Sequence, residues 1–204
     1  QLARGLPSGP ALRRLGVMSI LDEYVGTWTG TCAFRLMPSD DLAAAPSHAA
    51  SAVEADGHGW SLRYTWVHPQ DGEQSGTLLL GSRMEGDAIT AGWVDSWHQK
   101  PELRLLTGTV SHGSGESGEA GQSAEPGEPV DPGEARVTLA MEYEGWGWTI
   151  QITPDGDDLR MSMHNVVPAG IEGAPAGPYL VMDAVWNRAG AAMAHAGPAG
   201  HAVE

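Results

Sequence analysis

Apolar and polar residues alternate with a period of two along most of the chain. That spacing sets one face of a β-strand against a core and the other against solvent. The alternating segments cover residues 24–34, 49–55, 60–68, 74–82, 87–98, 102–111, 135–144, 146–153, a stretch carrying Leu159, Met161 and Met163, and 178–188. Trp60, Leu62, Tyr64 and Trp66 share one face of the third segment, with Arg63 opposite. Val137, Leu139, Met141 and Tyr143 alternate in the seventh; Trp146, Trp148, Ile150 and Ile152 line one face of the eighth. Asp155-Gly156 is a strong hairpin turn between the eighth segment and the ninth. The one helical candidate, residues 19–24, is placed to cap the end of a barrel.

About ten short strands in sequence favour a single antiparallel up-and-down β-barrel, lipocalin- or fatty-acid-binding-protein-like, over a parallel sheet. Closure removes the unpaired edges that an open sheet of this width would carry. A two-sheet sandwich shares the same strand pattern and is the alternative. The barrel is expected over residues 19–189. Residues 1–18 read as a disordered extension, with Met18 as the natural start, and 190–204 as a flexible Ala/Gly-rich tail.

Composition adds one large interruption. Residues 113–134 hold Glu116, Glu119, Glu125, Glu128, Asp131 and Glu134 with no Lys or Arg. Such a stretch buries too little apolar surface to offset its ordering entropy, so it is expected as a disordered acidic loop within the barrel. The formal net charge of −15 disfavours nucleic acid and anionic membrane surfaces as partners. No apolar run approaches the ~20 residues of a membrane span, and the one cysteine, Cys32, excludes an intrachain disulfide. A cytoplasmic location follows as the expectation. Eight Trp against one Phe suit a half-polar barrel interior, because indole combines a bulky ring with an N–H donor.

Gly26-Thr27-Trp28 opens the first strand with a Gly-x-Trp element, followed by Gly30. A Trp there plugs a closed barrel end, while small residues let the strand bend across the base. Asp95-Ser96-Trp97-His98-Gln99, Asn165-Val166-Val167-Pro168 and Pro178-Tyr179-Leu180-Val181-Met182 follow in order. Together these resemble the bacterial calycin-superfamily group known as domain of unknown function 1579, over nearly all of residues 18–188 outside the acidic loop. The resemblance implies a lipocalin-like barrel and carries no established activity. Nitrobindin-like haem barrels also begin with Gly-x-Trp, but their haem-ligating His lies close to the last strand. No His occurs here between Asn165 and Ala194, so haem is the lesser alternative and no cofactor is expected.

Candidate chemistry centres on the fifth strand. Trp93, Asp95 and Trp97 share one face by spacing, with Ser96 and His98 on the other. Imidazole beside a carboxylate suits acid–base work, yet no nucleophile elbow accompanies it. Asp183 lies with Tyr179, Val181 and Val185 by alternation, and a carboxylate among apolar side chains needs a partner. His164 and Arg160 oppose the Met161 and Met163 face, which favours an outward Arg160. His48, His58, His68 and His112 lie in or beside loops without metal-ligand spacing, so no metal site is expected.

The leading expectation is a non-enzymatic barrel that binds a small apolar or aromatic ligand. Its expected lining is Trp28, Tyr64, Trp66, Trp93, Asp95, Trp97, His98, Trp148, Met161, Met163 and Asp183. The first alternative is an enzyme using Asp95, His98 or Asp183 at the barrel mouth. The second is a partner-binding protein that makes contact through the acidic loop. Nothing in the sequence fixes the oligomeric state.

Overall fold

The computed structural model describes residues 17–82, 87–98, 102–111, 135–171 and 175–189. The acidic loop, the C-terminal tail and most of the N-terminal extension expected from the sequence lie outside the described residues. A short helix, α1 (Val17–Asp22), precedes ten strands. These are β1 (Gly26–Phe34), β2 (Ala43–Glu54), β3 (Gly59–His68), β4 (Gly72–Ser82), β5 (Ala88–Asp95), β6 (Arg104–Ser111), β7 (Arg136–Tyr143), β8 (Trp146–Asp155), β9 (Asp158–Val167) and β10 (Gly177–Arg188).

Each strand pairs antiparallel with its neighbours in the chain, and β10 closes on β1, from Trp28 opposite Arg188 to Phe34 opposite Met182. The sheet is a closed up-and-down barrel, and the sandwich alternative falls. Alternation is the cause. On β3 the buried Trp60, Leu62, Tyr64 and Trp66 point inward while Arg63 is exposed. Leu78 and Leu80, Ile89, Ala91 and Trp93, and Met161 and Met163 do the same on β4, β5 and β9. Apolar-inward packing is the reverse of a transmembrane barrel, whose apolar band faces outward. Among the described residues no helix is long and apolar enough to cross a membrane.

Most boundaries fall within two residues of those the pattern predicts, and three features depart further. β2 begins at Ala43, six residues before the predicted segment at 49, pairing Ala43 with Phe34 and Pro46 with Thr31. The run Ala43-Ala44-Ala45-Pro46 has no polar contrast to alternate, so the pattern is silent there. β5 stops at Asp95, and residues 96–98 turn instead of continuing the strand. On β10 the register slips between Leu180 and Met182. This bulge buries both Val181 and Met182 and reverses the alternation beyond them. Arg35 stitches the irregular stretch to β1, its backbone N–H bonding Val181 O at 2.9 Å and its Nε bonding Leu180 O at 2.6 Å.

Up-and-down connectivity gives the barrel two distinct ends. At one, α1 and Tyr24 cover the start of β1 and the finish of β10. Leu21 is fully buried there, and the Tyr24 hydroxyl bonds Gly156 O in the β8–β9 turn. At the other end lie the finish of β1, β3 and β5 and the start of β4, β6 and β8.

Candidate functional site

The second end is built around a buried carboxylate. Asp95 is the last residue of β5 and is 1% exposed. Its Oδ1 accepts from the backbone N–H of Trp97 at 2.8 Å and of His98 at 2.9 Å, the local turn that ends the strand. The same oxygen meets His98 Nδ1 at 3.2 Å. Oδ2 accepts from Trp66 Nε1 at 3.1 Å and the Tyr64 hydroxyl at 3.2 Å, both from β3. Trp93 Nε1 donates to the Tyr64 oxygen at 2.9 Å and completes the network.

The electrostatics follow from these partners. Burial alone would raise the Asp95 pKa. The bond from His98, the attraction of its imidazole and the two backbone N–H groups outweigh burial, and the pKa sits below its ordinary value. Burial and the adjacent Asp95 charge push the Tyr64 phenol well above its usual value, so it is a neutral donor. Gly76 opposes both Tyr64 and Asp95 across β4, and a Cβ there would collide with the Tyr64 ring. The absent side chain is what lets the phenol reach the carboxylate.

Strand alternation alone would place His98 outside. The turn at Asp95 carries it inward instead, with a side chain 8% exposed. Its ring lies 5.1 Å from Trp66, 4.9 Å from Trp97 and 5.3 Å from Trp148, centroid to centroid. Phe34, from the end of β1, and Trp93 adjoin it at 5.8 Å and 6.1 Å. A carboxylate can only accept, so the Nδ1 proton points at Asp95. The other nitrogen, Nε2, is buried with no hydrogen-bond partner among the described residues. The same holds for Nε1 of Trp148, whose ring adjoins His98.

His68 sits on the rim of this cluster, stacked on Trp97 at 4.6 Å. Its Nδ1 accepts from the backbone N–H of Asp71 at 3.0 Å and of Gln70 at 3.2 Å. Nδ1 is also 3.1 Å from Asp71 Oδ2, a contact that would be an ion pair only with a proton on Nδ1. The two backbone donors occupy that nitrogen, which leaves the proton on Nε2. Trp97 Nε1 donates to Asp71 Oδ2 at 2.7 Å and ties the indole to the β3–β4 turn.

Of the residues predicted to line a site, Tyr64, Trp66, Trp93, Asp95, Trp97, His98 and Trp148 therefore converge. Four do not. Trp28 is buried at the helix end, bonded to Ser51 Oγ at 3.0 Å and stacked on Tyr24. Met161 and Met163 are fully buried core residues of β9, registered with Ile152 and Ile150. Asp183 is exposed, because the β10 bulge reverses the face that alternation had given it. This removes Asp183 from any shared site with Asp95 and His98. Arg160 is exposed and paired with Asp155 at 2.9 Å, as its spacing predicts. Ser96 is exposed and bonds Gln74 Oε1 at 2.7 Å, away from His98.

Phe34, His68 and Asp71 belong to the cluster and were not predicted. For His68 the signal was present: it continues the alternation of Trp60, Leu62, Tyr64 and Trp66 by one more step. Among the described residues no three His, Cys, Asp or Glu side chains group as a metal site requires. Comparison with protein-family models and with curated proteins found no match.

The geometry defines what the site can do. An imidazole oriented by a buried carboxylate, its other nitrogen facing rings, can accept a proton or a hydrogen bond there. The flat walls provide contact area and the two unpartnered nitrogens provide direction.

Proposed function

We propose that this end of the barrel binds a small, largely apolar aromatic molecule that presents a polar group to His98. The carrying observation is the His98 imidazole, buried, oriented by Asp95 and unpartnered at Nε2 among the described residues. An unsatisfied buried polar atom costs about 1–3 kcal/mol, which a complementary ligand recovers. The surrounding indoles add the apolar contact such a molecule needs. Both nitrogens are shielded from solvent, so binding displaces a ring. Trp97 is the ring placed to move, being partly buried, on a turn, and held by the exposed Asp71.

Titration with a panel of neutral aromatic compounds, followed by tryptophan emission and by native mass spectrometry, tests this. At least one compound should be retained and should quench the emission. Trp148→Ala should abolish retention, and Arg188→Ala, at the far end, should leave it unchanged. Retention of nothing from the panel or from a host extract overturns the reading.

The 3.2 Å contact between Asp95 and His98 also supports an enzyme in which His98 moves a proton of the bound molecule. Conversion of a retained compound over time, lost in His98→Gln with binding kept, would distinguish it. We further place the chain in the calycin superfamily, supported by the closed meander that opens on Gly26-Thr27-Trp28. The cytoplasm is the compartment we favour, given the acidic charge and the single cysteine.

A further inference from the structure

We infer that the ligand's polar group is a hydroxyl carried on an aromatic ring, a phenol or naphthol, read jointly by His98 Nε2 and Trp148 Nε1. The inference rests on the reading of this end as a binding site and adds the chemistry that site selects.

The argument is one of donors and acceptors. Asp95 Oδ1 takes the His98 Nδ1 proton, so in the ring's neutral form Nε2 holds a bare lone pair and asks for a donor. Trp148 Nε1 carries a proton and asks for an acceptor. Both nitrogens are buried and unpartnered among the described residues, on rings 5.3 Å apart. A carbonyl or ether answers the indole and leaves the imidazole unmet. A carboxylate would set a second negative charge beside the buried Asp95, in a chain that already carries −15. A hydroxyl donates to Nε2 and accepts from Nε1 with one atom.

The body of the ligand follows from the walls. Trp66, Trp97 and Trp148 surround His98 with flat faces and edges, which suit an aromatic ring by stacking or edge contact. Polar selectivity of this kind is strong, because an analogue lacking the hydroxyl leaves both buried nitrogens unpaired.

Matched sets of compounds on the wild-type protein test the inference by calorimetry: para-cresol, para-methylanisole and toluene, then naphthol, methoxynaphthalene and naphthalene. Each hydroxyl compound should bind at least about tenfold tighter than its methylated and bare counterparts. His98→Phe should erase that preference while the bare compounds still bind. Trp148→Phe should reduce the preference and keep the ring. Equal affinity within each set overturns the hydroxyl and leaves the binding site standing; binding by none of the six, with no other aromatic retained, overturns both. A preference that survives in both variants also overturns it, because the hydroxyl is then read elsewhere. Because the preference is measured first on the wild type, it does not depend on either variant folding.

Discussion

The two ends of the barrel are closed by opposite means. At the helix end, Trp28 is stacked on Tyr24 and covered by the Arg188 guanidinium 4.5 Å above its ring. Trp28 donates to Ser51 Oγ, Ser51 donates to Tyr24 O, and Arg188 bonds Val25 O at 2.9 Å and Glu23 O at 2.6 Å. Trp28, Tyr24, Ser51 and Arg188 are thus bonded to one another or to the chain around them. At the other end, Asp95 holds five donors while the imidazole it orients and the adjoining indole each keep a nitrogen unpartnered among the described residues. Trp60 Nε1, at the start of β3 towards the helix end, is likewise unpartnered among the described residues. A plug whose members bond one another is a structural device. A saturated carboxylate that aims an unsatisfied imidazole is the arrangement expected where something binds.

The largest effect should come from the carboxylate itself. Asp95→Ala strips the partner from two backbone N–H groups, an indole, a phenol and an imidazole, all buried together. Loss of a buried charge with its bonded network costs about 3–5 kcal/mol, to be read as a lower denaturant midpoint. A cost under about 1 kcal/mol would mean that this end is as loosely held as a surface loop, and the contrast between the ends would collapse.

Gly76→Ala comes next. The new methyl meets the Tyr64 ring, which must leave Asp95 or push β4 outward. Overpacking of this kind costs about 1–3 kcal/mol. Near-ultraviolet dichroism should change as Trp93 loses its Tyr64 acceptor. An unchanged spectrum with full stability would show that the phenol is not held by that contact.

Arg188→Ala probes the other end. Two carbonyl bonds and a contact over the Trp28 ring are lost, for about 1–2 kcal/mol. Amide hydrogen exchange should rise at α1 and the first residues of β1 and remain unchanged around Asp95 and His98. Exchange that rises equally at both ends would mean that the ends are not separate units.

These contrasts show which parts of the molecule the sequence makes legible. Closure into ten antiparallel strands was readable, because Trp60, Leu62, Tyr64 and Trp66 and their counterparts repeat one period. Trp66, Trp93 and Trp148 were readable as inward residues for the same reason. Alternation fails where the backbone leaves the strand. His98 faces inward only because the Asp95 carboxylate captures the two following N–H groups and bends the chain. Asp183 faces outward only because one extra residue at Val181 shifts the register. Phe34 and Asp71 join the site through barrel closure and a turn, neither of which a local pattern encodes. Gly76 carries no signal of its own in the sequence, since its importance lies in the ring packed against it.

The smallest effect should appear as pH dependence, and its acid limb belongs to one end. The Asp95 pKa lies below its ordinary value of 3.8, so the unfolded chain takes up this proton at higher pH than the folded chain does. The stability it contributes is therefore fully present above that ordinary value and declines as pH falls below it towards the folded pKa. Tyr64 behaves oppositely: its folded pKa is raised above 10.0, so the unfolded chain releases the proton first and stability declines as pH rises past that value. Denaturant midpoints measured across both limits should fall at each. Asp95→Asn should flatten the acid limb, because no carboxylate remains at that position to titrate. Tyr64→Phe should reduce the alkaline one, the remainder belonging to Tyr24, whose phenol pKa burial also raises. Arg188→Ala should shift the whole curve down and leave the acid limb in place, because Asp95 lies at the other end. The alkaline limb is shared with the Tyr24 phenol of the plug, whose pKa burial raises and Arg188 lowers. A change in the acid limb on removing Arg188 would tie the two ends electrostatically and undo their separation.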